Sequence, residues 1–399
     1  MMGLVVSTNP PEIGSRDEFH TEQVVTIAGG HFVHDTYTAF VAPLLPLLRE
    51  RLGIGYALAG GLAVFTQLPS LLNPLIGYLA DRVSSRYFVI LAPAVTATLV
   101  SIIGLAGDYL TLALLLLAAG VSVAAFHAPA PAMIAQVTGV RVGTGMSIFM
   151  AAGELGRTIG PVAVVAAVGW FGLEGLWRVT FVGWAVSGIL YWRLRNVRAR
   201  PVSAPSFLPW DRVRRVFPAL TCLMLSRTLM IAGLTTFLPL FMTEVREGGL
   251  WLAAASLTIL EAAGVVGALG SGTVSDRFGR ARVLLVLFAI APVLMLAFLV
   301  APPWLSIPLL VGLGLTAISP TPVFLAIVQE EFTESRALAN GTLLALNFLI
   351  RALGVWLVGL LADGFGLEQA FLVSGVVAFA ALPAVALLRG KGRRGQATY

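Results

Sequence analysis

Charge is scarce in this sequence: 12% of its 399 residues are Asp, Glu, Lys or Arg, against about 25% in a typical soluble domain. A chain with so few polar side chains cannot cover a soluble surface, which excludes an ordinary soluble enzyme. Disorder needs the opposite composition and is excluded as well. Cysteine is almost missing. Cys222 is the single one, so an intrachain disulfide and a cysteine-based metal centre are both ruled out. Lysine is nearly absent too, Lys391 being alone among 26 basic residues, a bias of composition more than of function. No G-x-x-x-x-G-K-[ST] phosphate loop occurs, so nucleotide is not the expected energy source. The first residues, to about Gln23, are polar and acidic (Glu12, Asp17, Glu18, Glu22). They lack the basic start and small-residue cleavage site of a signal peptide, and the first apolar segment is expected to stay as an anchor.

What is present is apolar: 58% of residues are hydrophobic and mean hydropathy is +0.90. A bilayer-spanning helix takes roughly 20 apolar residues. The runs predict twelve spans, near 24–48, 56–80, 87–107, 109–136, 143–170, 174–194, 217–243, 250–275, 281–301, 304–329, 338–363 and 367–388. They are continuously apolar and do not alternate, which disfavours a β-barrel. The fold class expected is an all-α integral membrane protein of two six-helix bundles.

The basic residues are unevenly placed. Eighteen Arg and Lys fall in one set of connections and the tail, including Arg82, Arg86, Arg141, Arg277, Arg280, Arg282, Arg336 and Lys391; four (Arg49, Arg51, Arg178, Arg246) fall in the other. The positive-inside rule makes the first set cytoplasmic, with both termini inside a prokaryotic cytoplasmic (inner) membrane. The net charge of +6 therefore points to a membrane surface and not to nucleic acid. The stretch 196–215, with Pro201, Pro205 and Pro209, reads as a linker. The expected organisation is a polar tail (1–23), an N-terminal bundle (24–195), a basic cytoplasmic linker (196–215), a C-terminal bundle (216–389) and a basic tail (390–399).

The two halves repeat. Gly77-x-x-x-Asp81-Arg82 recurs as Gly272-x-x-x-Asp276-Arg277, Pro129-Ala130-Pro131 as Pro320-Thr321-Pro322, Leu45-Pro46-Leu47 as Leu238-Pro239-Leu240, and Arg157 as Arg351, at offsets of 195, 191, 193 and 194. Same-orientation six-span repeats are the mark of a two-bundle transporter with a central site. The segment Gly77 to Arg86, and more closely its second copy ending Asp276-Arg277-Phe278-Gly279-Arg280, resembles the signature loop of the major facilitator superfamily. Within it, His31-x-x-His34-Asp35, Phe126-His127 and Gly145-Met146-Ser147-Ile148-Phe149 are similar to the fosmidomycin resistance family, a family of exporters. This chain departs from it in Ala128, set between His127 and Pro129, and in the charges of Gly153-Glu154-Leu155-Gly156-Arg157. The resemblance implies alternating access, with Gly77, Asp81, Arg82, Arg86, Gly272, Asp276, Arg277 and Arg280 in gating. Physically, the glycines permit close helix approach and the aspartates suit a helix N-terminus; the plainer alternative is that basic loops merely hold topology.

A charge at the bilayer centre costs about 2.5–3.5 kcal/mol even on the lenient insertion scale, so each one needs a cavity or a partner. The acids are Asp35, Glu154 and Glu261; the bases are Arg157, Arg227 and Arg351, with His31, His34 and His127 beside them. His31, His34, Asp35 and Thr38 share one helical face. His34 corresponds to Arg227 in the repeat. Glu154 and Arg157 can pair at i, i+3, and Asn347 can orient Arg351 one turn on. The expectation is substrate contact by Arg157, Arg227, Arg351, His34, His127 and Asn347, and proton coupling by Asp35, Glu154 and Glu261. The arginine fork suits phosphonate, phosphate or carboxylate. The function expected is a secondary transporter acting as a monomer, a proton-coupled exporter of small anionic or amphiphilic compounds, with uptake of an organic anion as the alternative. No cofactor, catalytic residue or metal is expected. A membrane-embedded His/Asp enzyme or a metal transporter is the remote alternative, disfavoured because neighbouring arginines repel a metal.

Overall fold

The structure, a computed structural model, describes residues 19–72, 85–139, 141–195, 197, 208–332 and 336–385. The described residues group into twelve helical segments. In the first half these are α1 (Thr21–Thr38, then Val41–Leu52), α2 (Tyr56–Gln67 with a 3-10 turn, Leu68–Leu72) and α3 (Ser85–Ser101). They continue with α4 (Tyr109–His127, then Ala130–Val137), α5 (Val142–Phe171) and α6 (Thr180–Leu194). The second half holds α7 (Trp210–Ala232, running on to Val245), α8 (Leu250–Phe278), α9 (Arg280–Val300), α10 (Pro303–Leu313, then Pro320–Glu331), α11 (Arg336–Phe365) and α12 (Leu367–Ala378). Among the described residues, nine of these stretches, α3 to α5 and α7 to α12, are long and apolar enough to cross a membrane. The α7 helix starts at Trp210, inside the stretch read from sequence as linker, because Pro209 sits at its N-cap and Asp211 in its first turn.

Proline sets the breaks. In α4 the helix stops at His127 and restarts beyond Pro129. In α7 and α10, π-helical segments (Gly233–Phe237 and Gly314–Ile318) directly precede Leu238-Pro239 and Ser319-Pro320, where the missing N–H removes a helical hydrogen bond. The repeat is visible in packing. A Cβ on Gly120 would collide with Thr66 O, and one on Gly314 with Leu260 O; both members of the two pairs are 194 residues apart. Glycine is required so that α4 can lie against α2, and α10 against α8, at backbone distance.

The polarity is inside out. Trp170, Trp184, Trp192, Trp251 and Trp304 are exposed, while His31, His34, Asp35, Thr96 and Arg227 are buried. A lipid-facing surface has that character. The α8–α9 connection carries Arg277, Arg280 and Arg282, and its end of the molecule is termed the basic end. Towards the opposite end, a single apolar core joins both bundles, with Leu44, Leu45, Ala59 and Leu62 meeting Phe237, Leu257, Val355 and Val358. Towards the basic end each bundle keeps its own core, Val24, Val89, Phe126 and Leu194 in one and Leu220, Phe288, Phe324 and Leu343 in the other. The bundles are therefore joined at one end and separate at the other.

Candidate functional site

The α1 face built by His31, His34 and Asp35 packs on α4 and α5. Asp35 is 2% exposed and meets three imidazoles. His34 Nδ1 lies 3.0 Å from Oδ1, His127 Nε2 3.3 Å from Oδ1, and His31 Nε2 3.3 Å from Oδ2. The two Nε2 atoms of His31 and His127 are 3.3 Å apart. His31 Nδ1 faces Phe149 O at 2.8 Å and His127 Nδ1 faces Val123 O at 3.0 Å. On the far side, His34 Nε2 is 3.2 Å from Thr96 Oγ1, which is 2.8 Å from Ser122 Oγ. Phe126 stacks on His34 (4.4 Å between ring centroids) and Phe149 on His31 (4.0 Å). His127 belongs to this group because α4 breaks just after it. Among the described residues, His31, Asp35 and His127 have the spacing to hold a metal ion, their ligand atoms lying within 4.8 Å of one another.

Glycine brings α5 into this site. A Cβ on Gly153 would overlap the His31 ring, and Cβ atoms on Gly156 and Gly160 would press on the α1 carbonyls of Phe32 and Thr36. The spacing 153, 156, 160 is one helical stripe, which explains the glycines of the Gly-Glu-Leu-Gly-Arg segment. Arg157, between them, pairs with Glu154. It stands fifteen residues into a 30-residue helix, as does Arg351 in α11. Its side chain is 45% exposed and that of His127 34%. Arg157 interacts electrostatically with Asp35 and with Glu261 of α8, and Glu261 in turn with Arg351. A row of alternating charge thus crosses from the first bundle to the second.

Arg351 Nη2 donates to Thr235 Oγ1 at 3.1 Å, while its buried Nε has no partner among the described residues. Asn347, one turn earlier, is half-buried. Arg227 is placed differently. Its Nη1 donates to Ala317 O (2.9 Å), its Nη2 to Thr321 Oγ1 (3.0 Å), and its guanidinium stands over Phe324. Ala317 lies in the π segment before Pro320, so Arg227 ties α7 to the interrupted stretch of α10. By the 191-residue offset, Ala317 corresponds to Phe126, which stacks on His34. Each half therefore sets the basic residue of its first helix against the break in its fourth.

Comparison with known proteins agrees with this architecture. The family model described as Major Facilitator Superfamily matches residues 27–337 and 271–398. The chain belongs to the major facilitator superfamily. It is 24% identical over 358 residues to the fosmidomycin resistance protein of Escherichia coli (strain K12), covering 86% of this chain and 87% of that one. It is 22% identical over 375 residues to the uncharacterized MFS-type transporter YfnC of Bacillus subtilis (strain 168), covering 90% and 89%. Among solved structures it resembles a bacterial homolog of the human lysosomal transporter Spinster, in an inward-facing and occupied conformation. The TM-score is 0.81 at 16% identity, with 93% of this chain and 97% of that one covered.

In this superfamily transporter the signature residues stay local. Arg280 pairs with Asp276 (2.5 Å) and with Glu330 of α10 (2.6 Å), and donates to Gly272 O and Ser275 Oγ. Arg277 is exposed. None of these reaches the other bundle among the described residues. Of the first copy, Gly77, Asp81 and Arg82 lie outside the described residues, and Arg86 donates to Val197 O at 3.3 Å. Hydrogen bonds and ion pairs that join the bundles lie at the opposite end and were not singled out from sequence. Arg49 pairs with Glu244 at 2.9 Å and stands 4.0 Å over the Tyr56 ring, and Tyr56 donates its hydroxyl to Glu244 at 2.6 Å. The Asp363 carboxylate of α11 accepts from the backbone N–H of Tyr56 (2.5 Å) and of Ala57 (2.9 Å). Gly55, the N-cap of α2, has no side chain to do this, so the second bundle caps a helix of the first. One sequence signal pointed there: Arg49 and Glu244 occupy equivalent repeat positions, 195 apart, with opposite charge.

Proposed function

We propose that this transporter is a proton-coupled exporter of small anionic or amphiphilic compounds. It works by alternating access in a prokaryotic inner membrane, as a monomer with both termini in the cytoplasm. The observation that carries this reading is Arg157, a half-exposed guanidinium at the middle of a long apolar helix, beside a buried carboxylate ringed by three imidazoles. A guanidinium in such a place is retained for a ligand, and its planar fork matches phosphonate, phosphate or carboxylate oxygens. Arg351 is the second contact. Arg227 lends positive charge from behind while its fork holds α10. Export follows the name of the Escherichia coli relative, a resistance protein. One observation favours uptake instead: Arg157 already pairs with Glu154, so an anion that takes Arg157 leaves a carboxylate unpaired and ready for a proton, and anion and proton then travel together.

The test is a thermal-shift screen of purified protein against phosphonates, carboxylates and cationic drugs. A pH-gradient flux assay in liposomes follows, with the best binder loaded inside or outside. Accumulation driven by the gradient supports the reading, and its orientation assigns direction. A preference for cations, with wild-type binding in Arg157→Lys, Arg227→Lys and Arg351→Lys, overturns it.

A further inference from the structure

We propose that His31, His127 and Asp35 form a binding site for one divalent transition metal ion, zinc being the ion that suits these ligands. The observation behind it is a set of electron pairs with no hydrogen among them. A backbone carbonyl only accepts, so Phe149 O and Val123 O fix the hydrogen of His31 and that of His127 on Nδ1. A neutral imidazole has one N–H, and each Nε2 is then a lone pair. His34 has the opposite tautomer. Ser122 donates to Ala92 O and Thr96 donates to Ser122, so the N–H of His34 lies on Nε2 and donates to Thr96. Its Nδ1 is a third lone pair, 3.0 Å from Asp35 Oδ1. Three imidazoles therefore turn electron pairs towards one buried carboxylate, which is the setting of a cation.

The spacing is that of a coordination sphere. The Nε2 atoms of His31 and His127 are 3.3 Å apart, and each is 3.3 Å from an oxygen of Asp35. Zinc holds imidazole nitrogen and carboxylate oxygen at about 2.0–2.2 Å, which at the tetrahedral angle sets neighbouring ligand atoms roughly 3.3–3.5 Å apart. The two rings face different carboxylate oxygens, so Asp35 can bind through either or both. A proton between His34 Nδ1 and Oδ1 would serve that contact alone and leave the two Nε2 atoms facing each other with nothing between them. An ion serves both rings and the carboxylate at once. Two imidazoles and a carboxylate suit zinc and leave a fourth position for water or an anion.

The surroundings are those of a metal site. Each ligating ring donates its other N–H to a backbone carbonyl, the outer support that fixes a metal-binding histidine. Gly153 leaves room for the His31 ring and Phe149 stacks on it. The His31 and Asp35 side chains are 4% and 3% exposed and that of His127 34%, so an ion enters past His127. Arginine was the reason to disfavour a metal here. Arg157, which interacts with both Asp35 and His127, is paired with Glu154, so its charge is already matched.

The experiment loads chelator-stripped protein in detergent with cobalt(II), and separately with zinc. One cobalt per chain, with the intense visible bands of a tetrahedral ion, is the expected result. The bands are lost in His31→Gln and in His127→Gln and kept in His20→Gln. X-ray absorption of the zinc-loaded wild type needs no variant to fold and should count two imidazoles and at least one oxygen. No stoichiometric uptake, binding that survives loss of both His31 and His127, or an absorption spectrum without imidazole overturns the site. The proposal does not depend on the transport reading: if zinc binds as described and a pH gradient drives no flux of a bound phosphonate, that reading falls and the metal site stands.

Discussion

At the residue scale, three arginines that look alike in the sequence have three different environments. Arg157 is half-exposed and paired with Glu154, Arg351 is half-satisfied, and Arg227 is bonded to the backbone of α10. Lysine keeps the charge and loses the fork. Arg157→Lys should weaken binding of an oxyanion by about ten- to a hundredfold, the cost of one charge-assisted hydrogen bond, measured by titration calorimetry. Arg227→Lys should instead lower the melting temperature and leave affinity within a fewfold of wild type. Asp35→Asn removes the buried carboxylate that His31, His34 and His127 face. It should abolish uphill accumulation in liposomes while the protein still folds and still equilibrates substrate downhill; normal accumulation would take Asp35 out of the mechanism.

At the element scale, the site depends on how closely α5 lies on α1. Gly156 has no room for even a methyl group, since its Cβ would press on Phe32 O, and backbone has nowhere to yield. Gly156→Ala should cost about 1–3 kcal/mol of stability, as overpacking generally does, and should loosen the His31 ring from Phe149. Thermal unfolding followed by tryptophan fluorescence measures the first effect. The breaks in α4 and α10 belong to this scale too. In α10 the interrupted stretch offers the Ala317 carbonyl to Arg227 of α7, and in α4 the ring of Phe126, just before the break, stacks on His34 of α1.

At the scale of the molecule, the bundles share a core and a set of polar contacts at one end and are separate at the other. Asp363 is the contact to test, because it caps α2 from across the interface while the Arg49–Glu244 pair is partly exposed and worth little by itself. Loss of a helix cap costs about 0.5–2 kcal/mol. Asp363→Ala should therefore shift the balance between end-closed and end-open forms by roughly twofold to thirtyfold. Spin-label distances between engineered cysteines at that end, in a background lacking Cys222, read the shift; unchanged distances would remove Asp363 from gating. Asp276→Asn should slow turnover through its loss of Arg280 and leave affinity near normal. A large loss of affinity at unchanged turnover would contradict that role.

Composition, apolar run length and the internal offset near 194 residues were enough to establish a helical membrane protein of two related halves, because the cost of polar groups in lipid leaves a chain this apolar few options. The same cost made every charge inside an apolar run conspicuous, so Asp35, Glu154, Arg157, Arg227, Glu261 and Arg351 stood out without a structure. Which of them face an open space, and which are bound to backbone, is a property of helix rotation and depth that linear spacing does not carry. Arg227 and Arg351 are both bases embedded in apolar runs, and only the tertiary contacts, Arg227 on the carbonyl of Ala317 and Arg351 on Thr235, separate their roles. Spacing set His31 on one face with His34 and Asp35, but its partners Phe149 and His127 come from α5 and α4, which the glycine stripe of α5 allows to lie close. The Asp363 cap on α2 was invisible for a simpler reason. It joins positions 307 residues apart, and a helix end left open by Gly55 finds its partner only once the two bundles have met.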